Sequence, residues 1–234
     1  MQIYHFENLT STQDIAKQYL SEGQNLPFAI HTDKQSSGRG RSGNQWVSLE
    51  GNLLTSIAIP LQDVPVKDIG QYSFLTAVVL MDCLAEYGVV NAQNKWPNDI
   101  LVDGQKIAGI LLESNSNNDG VLNALIIGIG INIMNAPEGA ICIHNLTGDS
   151  ILPSEFLNQF IKQLDIQLLY FKQHGFDPIR KKWLDKAYGL GMLIKVRLPN
   201  EIFHGEFMGL DNDGALLVKV DGIPRKVYSG DVFF

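Results

Sequence analysis

Two arginines and two lysines stand where they could meet an anion. The stretch from Gln35 to Trp46 reads Gln-Ser-Ser-Gly-Arg-Gly-Arg-Ser-Gly-Asn-Gln-Trp. Arg39 and Arg41, at i and i+2, fall on one side of an extended segment, and each guanidinium offers a planar fork of donors that matches a carboxylate or a phosphate. Gly38, Gly40 and Gly43 free φ from the Cβ restriction, so local preference does not hold the segment in one shape. It is either a lid ordered by an anionic ligand or a plain solvated loop. The same glycines satisfy G-x-G-x-x-G, yet no helix opens directly after them and no kinase catalytic motif follows, so neither phosphate-binding reading has its context. Further along, Lys95-Trp96-Pro97-Asn98-Asp99 precedes Gly104-Gln105-Lys106. Lys106 opens an otherwise apolar run, an unusual place for a solvated charge. It needs an anion.

The elements that must carry these residues follow from periodicity. A strand at Ile3 to Phe6 leads to Ser11 or Thr12, placed to cap a helix with Ile15, Ala16, Tyr19 and Leu20 on one face and Gly23 at its end. A cap of this kind can also offer its hydroxyl to a polar ligand. Strands at Phe28 to Thr32 and Leu53 to Ile59 flank the glycine-arginine loop. A broad apolar stripe predicts a helix over Ile69 to Tyr87. Asp103-Gly104 between apolar runs predicts a hairpin joining Ile100 to Val102 with Lys106 to Glu113. A turn at Asn117 to Gly120 and a strand from Val121 to Ile133 follow, with Gly128 and Gly130 allowing close backbone approach. Helices are expected from Pro153 to about Tyr170 and over Phe176 to Tyr188. After Gly189 the texture changes to short alternating strands, Leu193 to Leu198, Ile202 to Leu210, Ala215 to Val220, Pro224 to Tyr228 and Val232 to Phe234, which predict a small barrel docked on the rest. The boundary divides the chain into 1–188 and 189–234.

A chain of 234 residues, 45% hydrophobic, can bury a real core. Its net charge of −7, without a basic block, disfavours a DNA partner. Cys83 and Cys142 have no C-x-x-C pairing and form neither a disulfide frame nor a zinc motif, which fits a reducing cytoplasm. No apolar run reaches the ~18 residues that read as a membrane span, and Met1 to Phe6 lacks the composition of a leader. The five histidines show no ligand spacing.

Taken together, Ser11-Thr12, the Gly-Arg-Gly-Arg loop with Trp46, Lys95 to Asp99, Lys106 to Gly109, Gly128-Ile129-Gly130-Ile131-Asn132 and Gly214-Ala215-Leu216-Leu217 resemble the bacterial biotin protein ligases, which biotinylate acetyl-CoA carboxylase. The resemblance covers nearly the whole chain. It implies an α+β fold, a mixed β-sheet flanked by helices with a C-terminal β-barrel of the Src-homology-3 type. It implies that biotin and MgATP give biotinoyl-5′-AMP and pyrophosphate, and that biotin then passes to a lysine of a biotin carboxyl carrier domain. Lys106, Arg39 and Arg41 are the implied catalytic cations, stabilising charge as carboxylate meets phosphate. Ser11, Thr12, Gln13, Gln35, Arg39, Gly40, Arg41, Lys106 and Gly109 are the implied biotin contacts. Arg41, Trp46, Asn98, Lys106 and Asn132 are those for ATP and the adenylate. Asp99 is a candidate partner for metal or lysine; the metal ligands are not assigned. Gln13 departs from the family's usual asparagine.

Some members begin with a DNA-binding helix-turn-helix, whereas this chain opens on the catalytic strand, so no repressor role is expected. A homodimer is left open. The close rival is a lipoate or octanoate ligase or transferase of related fold, which lacks the pairing of Gly-Arg-Gly-Arg with Lys-Trp-Pro-Asn-Asp. A non-enzymatic nucleotide- or DNA-binding regulator is unsupported by charge or motif.

Overall fold

The computed structural model describes residues 1–61, 64–116 and 122–234. Strands β1 (Gln2–Leu9) and β2 (Phe28–Gln35) bracket helix α1 (Thr12–Ser21), and β3 (Leu53–Pro60) follows the glycine-arginine loop. Helix α2 (Gln71–Glu86) leads to β4 (Gln93–Lys95), β5 (Asp99–Val102), β6 (Gln105–Ser116) and β7 (Leu122–Ile131). These seven strands form one sheet in the order β1-β2-β3-β7-β6-β5-β4. Only β1 and β2 run parallel, joined by the crossover helix that parallel pairing demands. The sheet is therefore mixed, as expected.

Alternation along the central strands decides which side each helix covers. Phe28, Ile30, Ala58 and Ile126 bury Ala16 of α1, while the intervening Ala29, Ile57 and Ile127 belong to the larger core beneath α2. Asp103 and Gly104 both take positive φ (50° and 78°), the backbone a tight hairpin turn requires. The turn expected at 117–120 lies outside the described residues.

Three helices complete the main layer, α3 (Ile143–Thr147), α4 (Pro153–His174) and α5 (Asp177–Asp185). A second sheet, β11-β10-β9-β8-β12, is built from β8 (Leu193–Leu198), β9 (Glu201–Leu210), β10 (Leu216–Val220), β11 (Ile223–Val227) and β12 (Asp231–Phe233). Every pairing in it is antiparallel. The expected barrel is not closed. The three-residue β12 takes β8 as its partner and leaves β11 as an open edge. A pattern of short strands encodes neighbouring hairpins, and closure between non-neighbours has no local signal.

The two sheets share one apolar cluster, which runs from Leu53 and Ile127 through Leu75 and Trp183 to Ile194, Val196 and Phe207. Phe74 meets Trp183 edge-on at 5.3 Å, and a Cβ at Gly214 would lie 2.8 Å from the Phe74 ring. The second sheet is thereby seated on the helices that back the first.

Candidate active site

The cavity lies over the sheet face that carries α1. Its floor is bare backbone, because Gly109 pairs with Gly130 and Leu111 with Gly128 across β6 and β7. Side chains from the first half of the chain rest on those glycines. A Cβ at Gly130 would sit 2.3 Å from the Trp46 indole, one at Gly109 2.9 Å from it, and one at Gly128 2.5 Å from the Gln13 amide nitrogen. The close approach expected at Gly128 and Gly130 is thus made by two particular side chains, Gln13 and Trp46.

One end of the cavity is neutral and polar. Thr12 donates its backbone N–H to Gln35 Oε1 at 2.8 Å and its hydroxyl to the same oxygen at 3.2 Å. Ser56 Oγ donates to Thr12 Oγ1 at 2.7 Å. Gln13 Nε2 donates to the Leu111 carbonyl at 3.0 Å, while Gln13 Oε1 and Ser11 Oγ are buried without a partner. Ser11 holds the N-cap position of α1 but makes no capping bond, so its hydroxyl remains for something else. A buried polar group left unpaired costs about 1–3 kcal/mol, and two such groups facing one cavity mark the seat of a polar ligand.

The other end is charged. Arg39, Arg41, Lys95, Lys106 and Arg197 line the cavity against the carboxylates Asp99 and Asp231, in a chain whose net charge is −7. Lys106 Nζ lies 2.6 Å from Asp99 and 5.3 Å from the centre of the Trp46 ring. Arg41 donates to Asn98 Oδ1 at 3.3 Å, and Asn98 passes the contact on to the Ile110 carbonyl at 2.6 Å. Burial pushes the Arg41 guanidinium below its ordinary value, against the pull of Asp231 and Asp99. A cation desolvated in this way gains most from an anion. Arg39 reaches Asp14 at 2.8 Å and Glu113 at 3.3 Å, and Lys17 joins Glu113 at 3.0 Å, which ties the loop to α1 and β6.

The loop itself corrects the sequence reading. It is held locally as a small hairpin in which Gly40 N–H donates to the Asn44 carbonyl at 2.7 Å and Trp46 N–H to Gly38 at 3.0 Å. Ser42 and Gly43 turn the tip with φ of 54° and 78°. Glycine at 38 permits this closure, since a Cβ there would come within 2.6 Å of the Trp46 carbonyl.

Ser11, Thr12, Gln13, Gln35, Arg39, Gly40, Arg41, Trp46, Asn98, Lys106 and Gly109 all line this one cavity. Asn132 does not. Its amide is committed to the Lys106 and Ile141 carbonyls at 3.3 and 3.2 Å, so it braces the backbone of Lys106 from behind. Residues the sequence reading missed are Ser56, which is legible as a polar break in a buried apolar strand, and Arg197, Asp231, Val232 and Phe233 from the second sheet. Arg197 and Asp231 pair at 2.9 Å. No sequence spacing signals that they arrive here.

A mixed sheet with a glycine floor thus carries a cavity that suits a ligand neutral and polar at one end and anionic at the other, the layout expected of an enzyme that handles a carboxylic acid beside a phosphate. Residues 5–132 match the biotin/lipoate A/B protein ligase family, and residues 189–234 match the biotin protein ligase C terminal domain; the chain belongs to that family. It is 34% identical to the biotin–[acetyl-CoA-carboxylase] ligase of Paracoccus denitrificans, over 86% of this chain and 88% of that protein. It is 32% identical to the bifunctional ligase/repressor BirA of Bacillus subtilis, over 98% of this chain and 73% of that protein. Among solved structures, the biotin protein ligase of Aquifex aeolicus in complex with biotin and ATP superposes with a TM-score of 0.84 at 26% identity, covering 99% of this chain and 97% of that one.

Proposed function

We propose that the chain is a biotin protein ligase working in two half-reactions within this single cavity. In the first, a carboxylate oxygen of biotin attacks the α-phosphorus of ATP, the α–β phosphoanhydride bond breaks, and biotinoyl-5′-AMP remains as pyrophosphate leaves. In the second, the ε-amine of a carrier lysine attacks the acyl carbon and AMP departs. The observation that carries this reading is the polarity of the cavity, with the unpartnered Ser11 and Gln13 oxygens at one end and the surplus of cations at the other.

In this reading Ser11, Thr12, Gln13 and Gln35 hold the ring end of biotin. Arg39, Gly40, Arg41 and Lys106 surround its carboxylate and the α-phosphate, and Gly109 leaves room beneath them. Fixed cations lower the repulsion between the approaching anions and stabilise the charge that develops at phosphorus. Trp46 and Asn98 serve the adenine end, with Asn132 supporting from behind. Asp231 is a hard oxygen donor on the wall that would help hold Mg²⁺ together with the nucleotide phosphates, whereas Asp99 is held by Lys106. When bound, that ion neutralises the departing pyrophosphate. The cavity encloses about 250 Å³, below the ~300–1,000 Å³ of pockets that take drug-sized ligands.

Residues 1–188 form the catalytic unit in this proposal and 189–234 a second unit that supplies one wall. The acceptor is a biotin carboxyl carrier domain of acetyl-CoA carboxylase or a related enzyme, met in the reducing cytoplasm that suits two buried free cysteines. No helix among the described residues is long and apolar enough to cross a membrane. The test is exchange of labelled pyrophosphate into ATP. It should depend on biotin, and exchange supported equally by lipoate or octanoate would replace this reading with its rival.

A further inference from the structure

The histidines have no ligand spacing in sequence, but the parallel register of β1 and β2 sets His5 directly beside His31. Asp33 lies two residues further along β2 and so on the same face. We propose that His5, His31 and Asp33 form a binding site for a divalent transition-metal ion, Zn²⁺ by preference, which ties β1 to β2.

The ligand atoms of the three residues lie within 4.8 Å of one another. His5 Nε2 is 2.8 Å from Asp33 Oδ1, and the two imidazoles stack at 5.2 Å. His31 is 4% exposed, and its Nδ1 lies 3.1 Å from the Leu54 carbonyl. A carbonyl can only accept, so Nδ1 carries the proton and Nε2 keeps its lone pair. Metal-binding histidines are oriented in this way, with the second ring nitrogen donating to a backbone carbonyl.

Ligand atoms in a tetrahedral zinc site are about 3.4 Å apart, given bonds of ~2.0–2.1 Å. His5 and Asp33 have side chains 53% and 57% exposed, so both can turn inward around the fixed His31 without disturbing the core, and water completes the shell. Two imidazoles and one carboxylate suit zinc, nickel or copper. Magnesium, which takes oxygen ligands and keeps its waters, is a poor competitor.

The site is on the sheet face opposite the cavity, yet both strands continue to it. β1 leads to Ser11 and Thr12, and β2 ends at Gln35, the residues joined by the 2.8 Å bond from Thr12 N–H. A metal at His5, His31 and Asp33 staples the two strands a few residues before that bond, and so supports the neutral end of the cavity.

The experiment titrates the full chain, stripped with chelator and desalted, with ZnCl₂ by calorimetry, and with Co²⁺ by visible absorption. One equivalent should bind, the cobalt spectrum should be that of a low-coordinate site, and thermal stability should rise with Zn²⁺. His5→Ala and Asp33→Asn, both at exposed positions, should each weaken binding by at least about tenfold and abolish the thermal shift. His204→Ala, at an exposed histidine elsewhere, should leave both unchanged, and MgCl₂ should produce neither. Absence of stoichiometric zinc binding, or equal affinity in the His5→Ala protein, would reduce the cluster to a surface His5–Asp33 ion pair.

Discussion

Replacing Lys106 by methionine isolates the charge that meets the phosphate. Methionine keeps the length and volume of the stem that lies across Trp46, so packing on the glycine floor is preserved. The ion pair lost with Asp99 at 2.6 Å involves side chains 37% and 23% exposed, and partly exposed pairs contribute at most about 1 kcal/mol. For a chain of this size that corresponds to a fall in Tm of about 2–4 °C. The effect on adenylation is far larger. Removing one such stabilising group costs roughly 2.7–4 kcal/mol, or about 10²–10³ in rate, and here Asp99 is left bare and faces the incoming anions. The double variant Lys106→Met/Asp99→Asn should therefore recover about tenfold of the loss, or ~1.4 kcal/mol, although it removes yet another charged group. The assay is biotin-dependent pyrophosphate exchange, with circular dichroism and thermal melting as controls for folding. Exchange at the parent rate by a folded Lys106→Met protein would remove this lysine from the mechanism. Failure of the double variant to recover activity would show that Asp99 acts otherwise than through its charge.

Arg41→Gly should release the adenylate, since it deletes a half-buried cation and its bond to Asn98; stray biotinylation of an unrelated lysine-rich protein measures this, and an adenylate retained as long as in the parent would refute it. Gly130→Ala should displace the indole of Trp46, because the new Cβ would fall 2.3 Å from it. Adenylation should drop at least about tenfold, on the scale set by overpacking costs of ~1–3 kcal/mol, with a change in tryptophan fluorescence; unaltered fluorescence and activity would contradict the geometry. In the second sheet, burial raises the Asp211 carboxyl, but the bonds from Lys226 and from the backbone N–H groups of Asp213 and Ala215 outweigh it, so its pKa falls below 3.8. A depressed carboxyl pKa stabilises the fold above the unfolded-state value and loses that contribution as pH falls through the folded one. Asp211→Ala should thus cost about 2 kcal/mol at pH 7, with the gap narrowing as pH falls below the unfolded-state value, and a gap in unfolding free energy that stays constant through acid would reject the assignment.

Where local chemistry decides an element, the sequence showed it. Strand β8 spans Leu193–Leu198 as expected from alternation alone, and Asp103-Gly104 forms the predicted turn. The cationic half of the cavity was visible once the paired arginines, which alone also fit a solvated loop, were taken with a lysine opening an apolar strand and with the family resemblance that joins them. What stayed hidden depends on partners distant in the chain. Strand β1 extends to Leu9 because Asn8 and Leu9 pair with Lys34 and Gln35 of β2. Helix α3 has only five residues and no repeating apolar stripe to announce it. Asp231 reaches the cavity through the pairing of β12 with β8, and His5 meets His31 through register.

The sheet order has a kinetic consequence. Strands β1, β2 and β3 arise from the first part of the chain and β5, β6 and β7 from a later one, and the two groups join only where β3 pairs with β7. That seam bisects the cavity. Leu54 and Ser56 stand on one side of it, Gly130 and Gly128 opposite them on the other, and Trp46 and Gln13 reach across to rest on the later strands. Neither half can present a cavity alone. Pairing between segments so distant in sequence carries a large loop-closure cost and forms slowly, so the cavity exists only after the slowest association is complete. A ligand bound across the seam has nothing to grip before that step. It leaves the refolding rate almost untouched and acts instead by slowing the escape of the two halves from one another.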